Sequence, residues 1–182
     1  MKTLIVVDMQ KDFIDGALGT KEAEKIVSKV KAKIKKYVKE GGKIIFTRDT
    51  HSKKYMETRE GKYLPVPHCI KGTPGWEIPK VLTDAAGEDA TIIDKKSFGY
   101  DKWAKVLKGT DTSAFEFVGL CTDICVVSNA LAIKAIFSEA DLSVDAACCA
   151  GVTPAAHDAA LATMRSCQID IVHEGKEPWR NA

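Results

Sequence analysis

The chain has 182 residues, 45% of them hydrophobic, with 27 Lys and Arg against 25 Asp and Glu for a formal net charge of +2. That length suits a single domain over residues 1–182 with a sizeable core. The near-balanced charge gives no field for nucleic acid or a membrane surface.

No stretch approaches the roughly 18 apolar residues of a membrane span. The N-terminus lacks the apolar region and cleavage site of a secretory signal. Cys69, Cys121, Cys125, Cys148, Cys149 and Cys167 show no disulfide framework, so free thiols in a reducing cytoplasm are expected.

Leu4 to Val7 is β-branched-rich and reads as a buried strand. From Glu22 to Lys39, the residues Ile26, Val30, Ile34, Tyr37 and Val38 share one helical face. The basic run from Lys25 to Lys39 is the solvated side of that helix. Gly41-Gly42 stops it. Lys43 to Thr47 is the next strand, which makes a right-handed β-α-β unit.

Arg48 to Gly75 is a long polar loop, and loops of that length in compact domains are usually functional. A helix follows at Trp76–Ala85, a strand at Ala90–Ile93, a short helix at Asp101–Leu107 and a strand at Ala114–Leu120. A long helix is expected over Thr122–Glu139. Then come a strand at Asp141–Ala147, a helix at Pro154–Cys167 and a last strand at Ile169–Val172. The alternation predicts an α/β fold: a three-layer, doubly wound, mainly parallel six-stranded sheet with helices on both faces.

Ligands in such sheets bind beyond the carboxyl ends of the strands. Asp8 follows the first strand, Asp49 and His51 the second, Asp94, Lys95 and Lys96 the third, and Cys121 to Cys125 the fourth. One rim therefore gathers a carboxylate, an ammonium, a thiol and a possible metal pair.

Cys125 falls in the first turn of its predicted helix, with Thr122 or Asp123 as N-cap. Free N–H groups and the helix dipole favour a thiolate there. Asp8 could take the thiol proton and return it to a leaving amine. Lys95 could stabilise the developing charge, with Lys96 as its competitor, since alternation alone does not choose between them. The C-x3-C spacing of Cys121 and Cys125 is a poor redox or zinc signal. Asp49-x-His51 points two ligand types the same way from an extended segment. His68 returns from the loop, and Glu57 and Glu60 lie between. Such donors suit Zn²⁺ or Fe²⁺, with Mn²⁺ if a Glu joins. His157 and His173 read as structural or surface residues.

These pieces, in order, are Leu4-Ile5-Val6-Val7-Asp8-Met9-Gln10-Lys11-Asp12-Phe13, Thr47-Arg48-Asp49-Thr50-His51, His68-Cys69-Ile70-Lys71-Gly72-Thr73-Pro74-Gly75, Asp94-Lys95 and Gly119 to Val126. Together they resemble the isochorismatase-like cysteine hydrolases, most closely the nicotinamidases. The resemblance implies a catalytic triad of Asp8, Lys95 and Cys125, an oxyanion hole from the N–H groups of Cys121 and Cys125, and a cis peptide between Leu120 and Cys121. It implies a divalent metal, zinc first, on Asp49, His51 and His68, with Glu60 as a fourth ligand, holding a pyridine nitrogen. Phe13 would line the ring pocket with Tyr100 or Trp103, and Leu120 would border it.

The implied activity is hydrolysis of nicotinamide to nicotinate and ammonia through a Cys thioester. The alternatives are a cysteine amidase for a carbamoyl or ureido compound, or a non-catalytic binding protein of the same fold. The expected partner is a small-molecule amide, with a homo-oligomer as a leaning. Three departures touch the pocket. Lys11 stands where the family has Asn, Ser97-Phe98-Gly99-Tyr100 departs from the aromatic-Ser-Ala-Phe pattern, and Val66-Pro67 rather than a Trp precedes His68.

Overall fold

The computed structural model describes residues 2–180. Six strands form one sheet: β1 (Thr3–Val7), β2 (Lys43–Asp49), β3 (Thr91–Lys95), β4 (Ala114–Leu120), β5 (Asp141–Ala150) and β6 (Asp170–Val172). Their spatial order is β3-β2-β1-β4-β5-β6, and every pairing is parallel. The order reverses between β1 and β4, where such sheets open a ligand crevice.

The helices are α1 (Lys11–Ile14), α2 (Lys21–Lys39), α3 (Arg59–Tyr63), α4 (Lys80–Ala86), α5 (Trp103–Val106), α6 (Val127–Ile136) and α7 (Pro154–Ser166). Alternation along β1 sorts them into two layers. Leu4 and Val6 pack with Ile26, Val30 and Ile34 of α2 and Leu82 of α4. Ile5 and Val7 pack with Trp103 of α5, Ile133 of α6 and Leu161 of α7 on the other face. The three-layer α/β expectation is therefore met.

The differences have local causes. The helix expected from Trp76 begins only at Lys80, because Pro79 disfavours helical geometry at Ile78 before it; Pro74–Trp76 is a separate 3-10 turn. The helix expected over Thr122–Glu139 divides into a π-helical turn at Thr122–Val126 and α6, and it ends at Phe137. Neither Thr122 nor Asp123 caps it: the N-cap position is Cys121, which makes no capping bond. Thr122 instead bonds His157 (2.8 Å), and Asp123 accepts from the Val152 N–H (2.9 Å).

β2 and β3 run further than expected. Asp49 and Lys95 thus sit within the strands as register partners rather than after them. β5 reaches Ala150 by way of a bulge, where Phe117 pairs with Val144 but Gly119 pairs with Cys149.

Gly119 fixes how closely β4 approaches β1. It lies at φ 119°, and an added Cβ would stand 2.1 Å from the Val7 carbonyl oxygen. Only glycine lets the two carboxyl ends meet there. No cis peptide occurs among the described residues, so the expected cis bond at Leu120–Cys121 is not present. Cys121 continues in extended geometry (φ −83°, ψ 145°), and a trans bond is the cheaper state by about 3 kcal/mol.

Candidate active site

Asp8 leaves β1 in left-handed geometry (φ 45°), a region that Asp tolerates better than most residues. Its N–H donates to the Thr47 carbonyl (3.2 Å), and the Thr47 hydroxyl donates to its Oδ1 (2.7 Å). Oδ2 is thereby left to face Lys95 Nζ at 2.7 Å. Lys95 Nζ also donates to the Ser97 carbonyl (3.0 Å), lies 3.3 Å from Asp49 Oδ1, and reaches Cys125 Sγ at 3.5 Å. Alternation along β3 turns Lys95 inward and leaves Lys96 exposed. The competition between the two lysines is settled geometrically.

All three groups are buried, and their acidities follow from that. Burial works against the Lys95 ammonium, but Asp8, Cys125 and Asp49 outweigh it and push its pKa up, so Lys95 stays charged. Burial pushes the Asp8 carboxyl up, with Lys95 opposing and Asp49 assisting. Burial, then the Asp8 charge, pushes the Cys125 thiol well up, against Lys95. These influences oppose the helix start, which favours a thiolate. The helix-start dipole is outweighed by lost hydration and by a carboxylate beside the sulfur. The buried thiol thus lies beside the close Asp8–Lys95 pair, with its proton affinity and that of the Asp8 carboxyl both raised by burial.

The turn that carries Cys125 is π-helical, a winding often found at functional sites. The Cys121 carbonyl accepts from the N–H groups of Ile124 and Val126, both at 3.1 Å. Burial pushes the Cys121 thiol up to about 12. Cys148 and Cys149 are buried in β5.

A few ångströms from Lys95, Asp49, His51, Glu60 and His68 each turn a ligand atom inward, all within 4.8 Å of one another. His51 Nε2 lies 2.9 Å from Asp49 Oδ2 and 3.6 Å from Glu60 Oε1. His68 Nε2 lies 3.7 Å and 3.6 Å from the same two oxygens. A tetrahedron with bonds of about 2.1 Å has edges of about 3.4 Å, so the spacing fits one small divalent ion. Two further observations support the fit. His51 Nε2 is buried without a well-aligned hydrogen bond. His68 Nδ1 donates to the Val66 carbonyl (2.8 Å), which leaves its Nε2 lone pair free to bind.

The long loop is pinned to hold this set. His51 and Ile70 form a parallel bridge. The Cys69 N–H donates to Asp12 Oδ2 (2.7 Å), and Thr58 caps α3 through the Gly61 N–H, which places Glu60.

Thiol and metal-capable cluster face one cavity of about 310 Å³. Phe13, Leu64, Phe98, Leu120, Ile124 and Val152 supply most of its walls, with Leu18, Thr20 and Ala23 at the start of α2. Phe13 and Leu120 are where the sequence places them. Tyr100 and Trp103 are not in the lining: Trp103 is buried in the core and half-buried Tyr100 packs against it, their rings edge to face at 5.3 Å. Two residues along the same loop, Phe98 takes the position expected of Tyr100. Lys11 turns away from the cavity to pair with Glu77 (2.9 Å).

Three participants escape the sequence reading. Gln10 is buried; its amide donates to the carbonyls of Asp49 and Trp76 (both 2.9 Å) and accepts from the Asp49 N–H (2.6 Å). Its polar side chain two positions after Asp8 is the one signal available for it. Asn129 and Thr47 give no local signal at all. His157, expected as structural or surface, is fully buried between Thr122 and Glu177.

A model of the isochorismatase domain matches residues 2–173. A pyrazinamidase structure from Pyrococcus horikoshii, in complex with zinc, is 34% identical with a TM-score of 0.82, covering 94% of this chain and 98% of its own. The nicotinamidase/pyrazinamidase of Mycobacterium tuberculosis is 26% identical over 94% of this chain and 98% of its own length. The nicotinamidase of Saccharomyces cerevisiae is 26% identical over 72% and 80%. With the parallel sheet and its rim in place, a match that spans nearly the whole chain identifies the protein as a member of the isochorismatase family.

Proposed function

We propose that the protein is an amidohydrolase that converts nicotinamide to nicotinate and ammonia. One observation carries the reading: Lys95 Nζ bridges Asp8 (2.7 Å) and Cys125 Sγ (3.5 Å) at the wall of an apolar cavity that also exposes Asp49, Glu60 and His68. The walls suit a flat ring, and they offer few partners for the polar atoms of a ureido compound. Asp49, His51, His68 and Glu60 would hold a divalent ion, with zinc suited to this donor set. When bound, such an ion would hold the ring nitrogen and orient the carboxamide.

The residues of the chain divide the chemistry. The carboxamide carbon sits at Cys125 Sγ. As sulfur attacks, its proton passes to Asp8, and the carbonyl oxygen gains negative charge opposite the N–H groups of Cys121 and Cys125. Asp8 then returns the proton to nitrogen as the C–N bond breaks, releasing ammonia and leaving a Cys125 thioester. Asp8 next takes a proton from water, whose oxygen attacks the thioester carbon. The proton returns to sulfur, and the product leaves as nicotinic acid, which loses its own proton to water and becomes nicotinate. Lys95 stays charged throughout. It keeps Asp8 ionised before the attack and offsets the negative charge that moves between Asp8 and sulfur.

The test is ammonia release from nicotinamide by metal-loaded protein, with Cys125→Ala as the inactive control. No turnover at millimolar nicotinamide would sink the substrate assignment.

A further inference from the structure

Asn129 lies on α6 outside the reacting set, fully buried, one helical turn after Cys125. Its Nδ2 donates to the Cys125 carbonyl (2.8 Å) and to the Phe98 carbonyl (3.0 Å). Its Oδ1 accepts from the Tyr100 N–H (2.9 Å) and from Trp103 Nε1 (3.0 Å). Two carbonyls on one end and two N–H groups on the other fix the amide's orientation and fill its whole bonding capacity. No other side chain of this size donates twice and accepts twice from one plane. Asp lacks both donors, Leu lacks all four bonds, and Gln is longer by a methylene.

Two sides of the reaction centre meet at this amide. One is the nucleophile's own backbone. The other is the loop after β3, whose Ser97 carbonyl receives Lys95 Nζ (3.0 Å). The loop runs close against α6, since a Cβ on Gly99 would stand 3.4 Å from the Ser128 carbonyl oxygen.

We propose that Asn129 is a positioning residue for the reaction at Cys125: by locking the nucleophile turn to the 97–100 loop, it holds Cys125 Sγ and Lys95 Nζ at one spacing. The proposal rests on Cys125 being the nucleophile. Sub-ångström slack between two such groups is costly, because a displacement of about 1 Å can lower a rate by about a hundredfold.

The test uses full-length, metal-loaded protein. Asn129→Asp keeps the bonds from Tyr100 and Trp103 but strands the Phe98 and Cys125 carbonyls. Trp103→Phe removes one donor to Oδ1 and keeps the ring. Tyr37→Phe, which loses the bond from Tyr37 to Glu116 on the opposite face, is the control for stability alone.

Expected for Asn129→Asp is a kcat loss of about tenfold or more with KM changed by less than about threefold, and for Trp103→Phe a loss of about two- to fivefold. Tyr37→Phe should lower Tm and leave kcat alone. The proposal is overturned if Asn129→Asp stays within about twofold of wild type, or if its kcat loss is matched by Tyr37→Phe. Should Asn129→Asp fail to fold, Trp103→Phe decides by the same measure: an unchanged kcat overturns the proposal. Should the wild type leave nicotinamide untouched, the substrate assignment falls but this proposal still has a readout. Slower iodoacetamide alkylation of Cys125 in the variant supports positioning, and equal rates refute it.

Discussion

Replacing Asp8 with Asn separates thiol acidity from catalysis, because the site assigns them opposite signs. Asn is isosteric, and its Oδ1 can keep the bond from the Thr47 hydroxyl. Lys95 loses its nearest partner but retains Asp49 and the Ser97 carbonyl. The Asp8 charge is one cause of the raised thiol pKa, and Lys95 is the opposing one. At the 3.5 Å between Nζ and Sγ, an ammonium stabilises a thiolate by about 5 kcal/mol at an effective dielectric of about 20. With the carboxylate gone, that attraction is opposed only by burial and the more distant Asp49. The thiol pKa should therefore drop. Hydrolysis should move the other way. Without Asp8 no group receives the thiol proton or returns it to the leaving nitrogen, a role worth about 10²–10⁴-fold. The assay pairs iodoacetamide alkylation of Cys125 across pH with ammonia release from nicotinamide. Asp8→Asn should alkylate at lower pH than wild type and hydrolyse at least about a hundredfold more slowly. A thiol that titrates unchanged or higher, or hydrolysis within about tenfold of wild type, refutes the account.

Four further outcomes are expected. Gln10→Ala frees the Asp49 backbone from its amide clamp and should weaken metal binding by about 10–100-fold, read by competition with a fluorescent chelator; unchanged affinity would make the clamp merely structural. Removing metal with a chelator should abolish nicotinamide turnover, zinc should restore it, and Cys125 alkylation should survive in the stripped protein; full activity without metal refutes the ligand assignment. Gly119→Ala forces a Cβ to 2.1 Å from the Val7 carbonyl oxygen and should cost about 3 kcal/mol or more, a Tm loss of about 6–12 °C by thermal unfolding; a loss under about 2 °C would show that the strands can part. Burial lowers the His157 pKa, against the pull of Glu177, so below about pH 6.5 the unfolded chain takes up a proton that folded His157 refuses. Stability is then complete above that pH and falls as pH drops. His157→Gln should flatten the difference in urea midpoint between pH 7 and pH 5.5, and an unchanged slope would place the acid sensitivity elsewhere.

What the sequence discloses about this protein follows the range of the interactions concerned. Asp8, Lys95 and Cys125 are legible because each stands at or beside the carboxyl end of a strand, and a parallel sheet must bring those ends to one rim. The α2 face is legible through Ile26, Val30, Ile34 and Tyr37 because its burial repeats at helical spacing, whereas Val38, expected with them, is exposed at the end of the helix. The choice of Lys95 over Lys96 is not, since it needs the register in which Asp49 pairs with Lys95. The raised proton affinity of the thiol is hidden for a similar reason. A helix start argues locally for a thiolate, while the opposing terms come from burial and from Asp8, more than a hundred residues away in sequence.

The pocket wall shows the same limit more sharply. Tyr100 and Phe98 are both aromatic on one short loop, and nothing in the loop itself says which faces the cavity. Asn129 anchors both residues' backbones from α6, thirty-one residues beyond Phe98: it accepts from the Tyr100 N–H and the Trp103 indole and donates to the Phe98 carbonyl. Phe98 lines the cavity. The loop after Lys95 is thus held by a buried amide that only the fold brings next to it. The two positions should be substituted together in any attempt to alter which ring the cavity accepts.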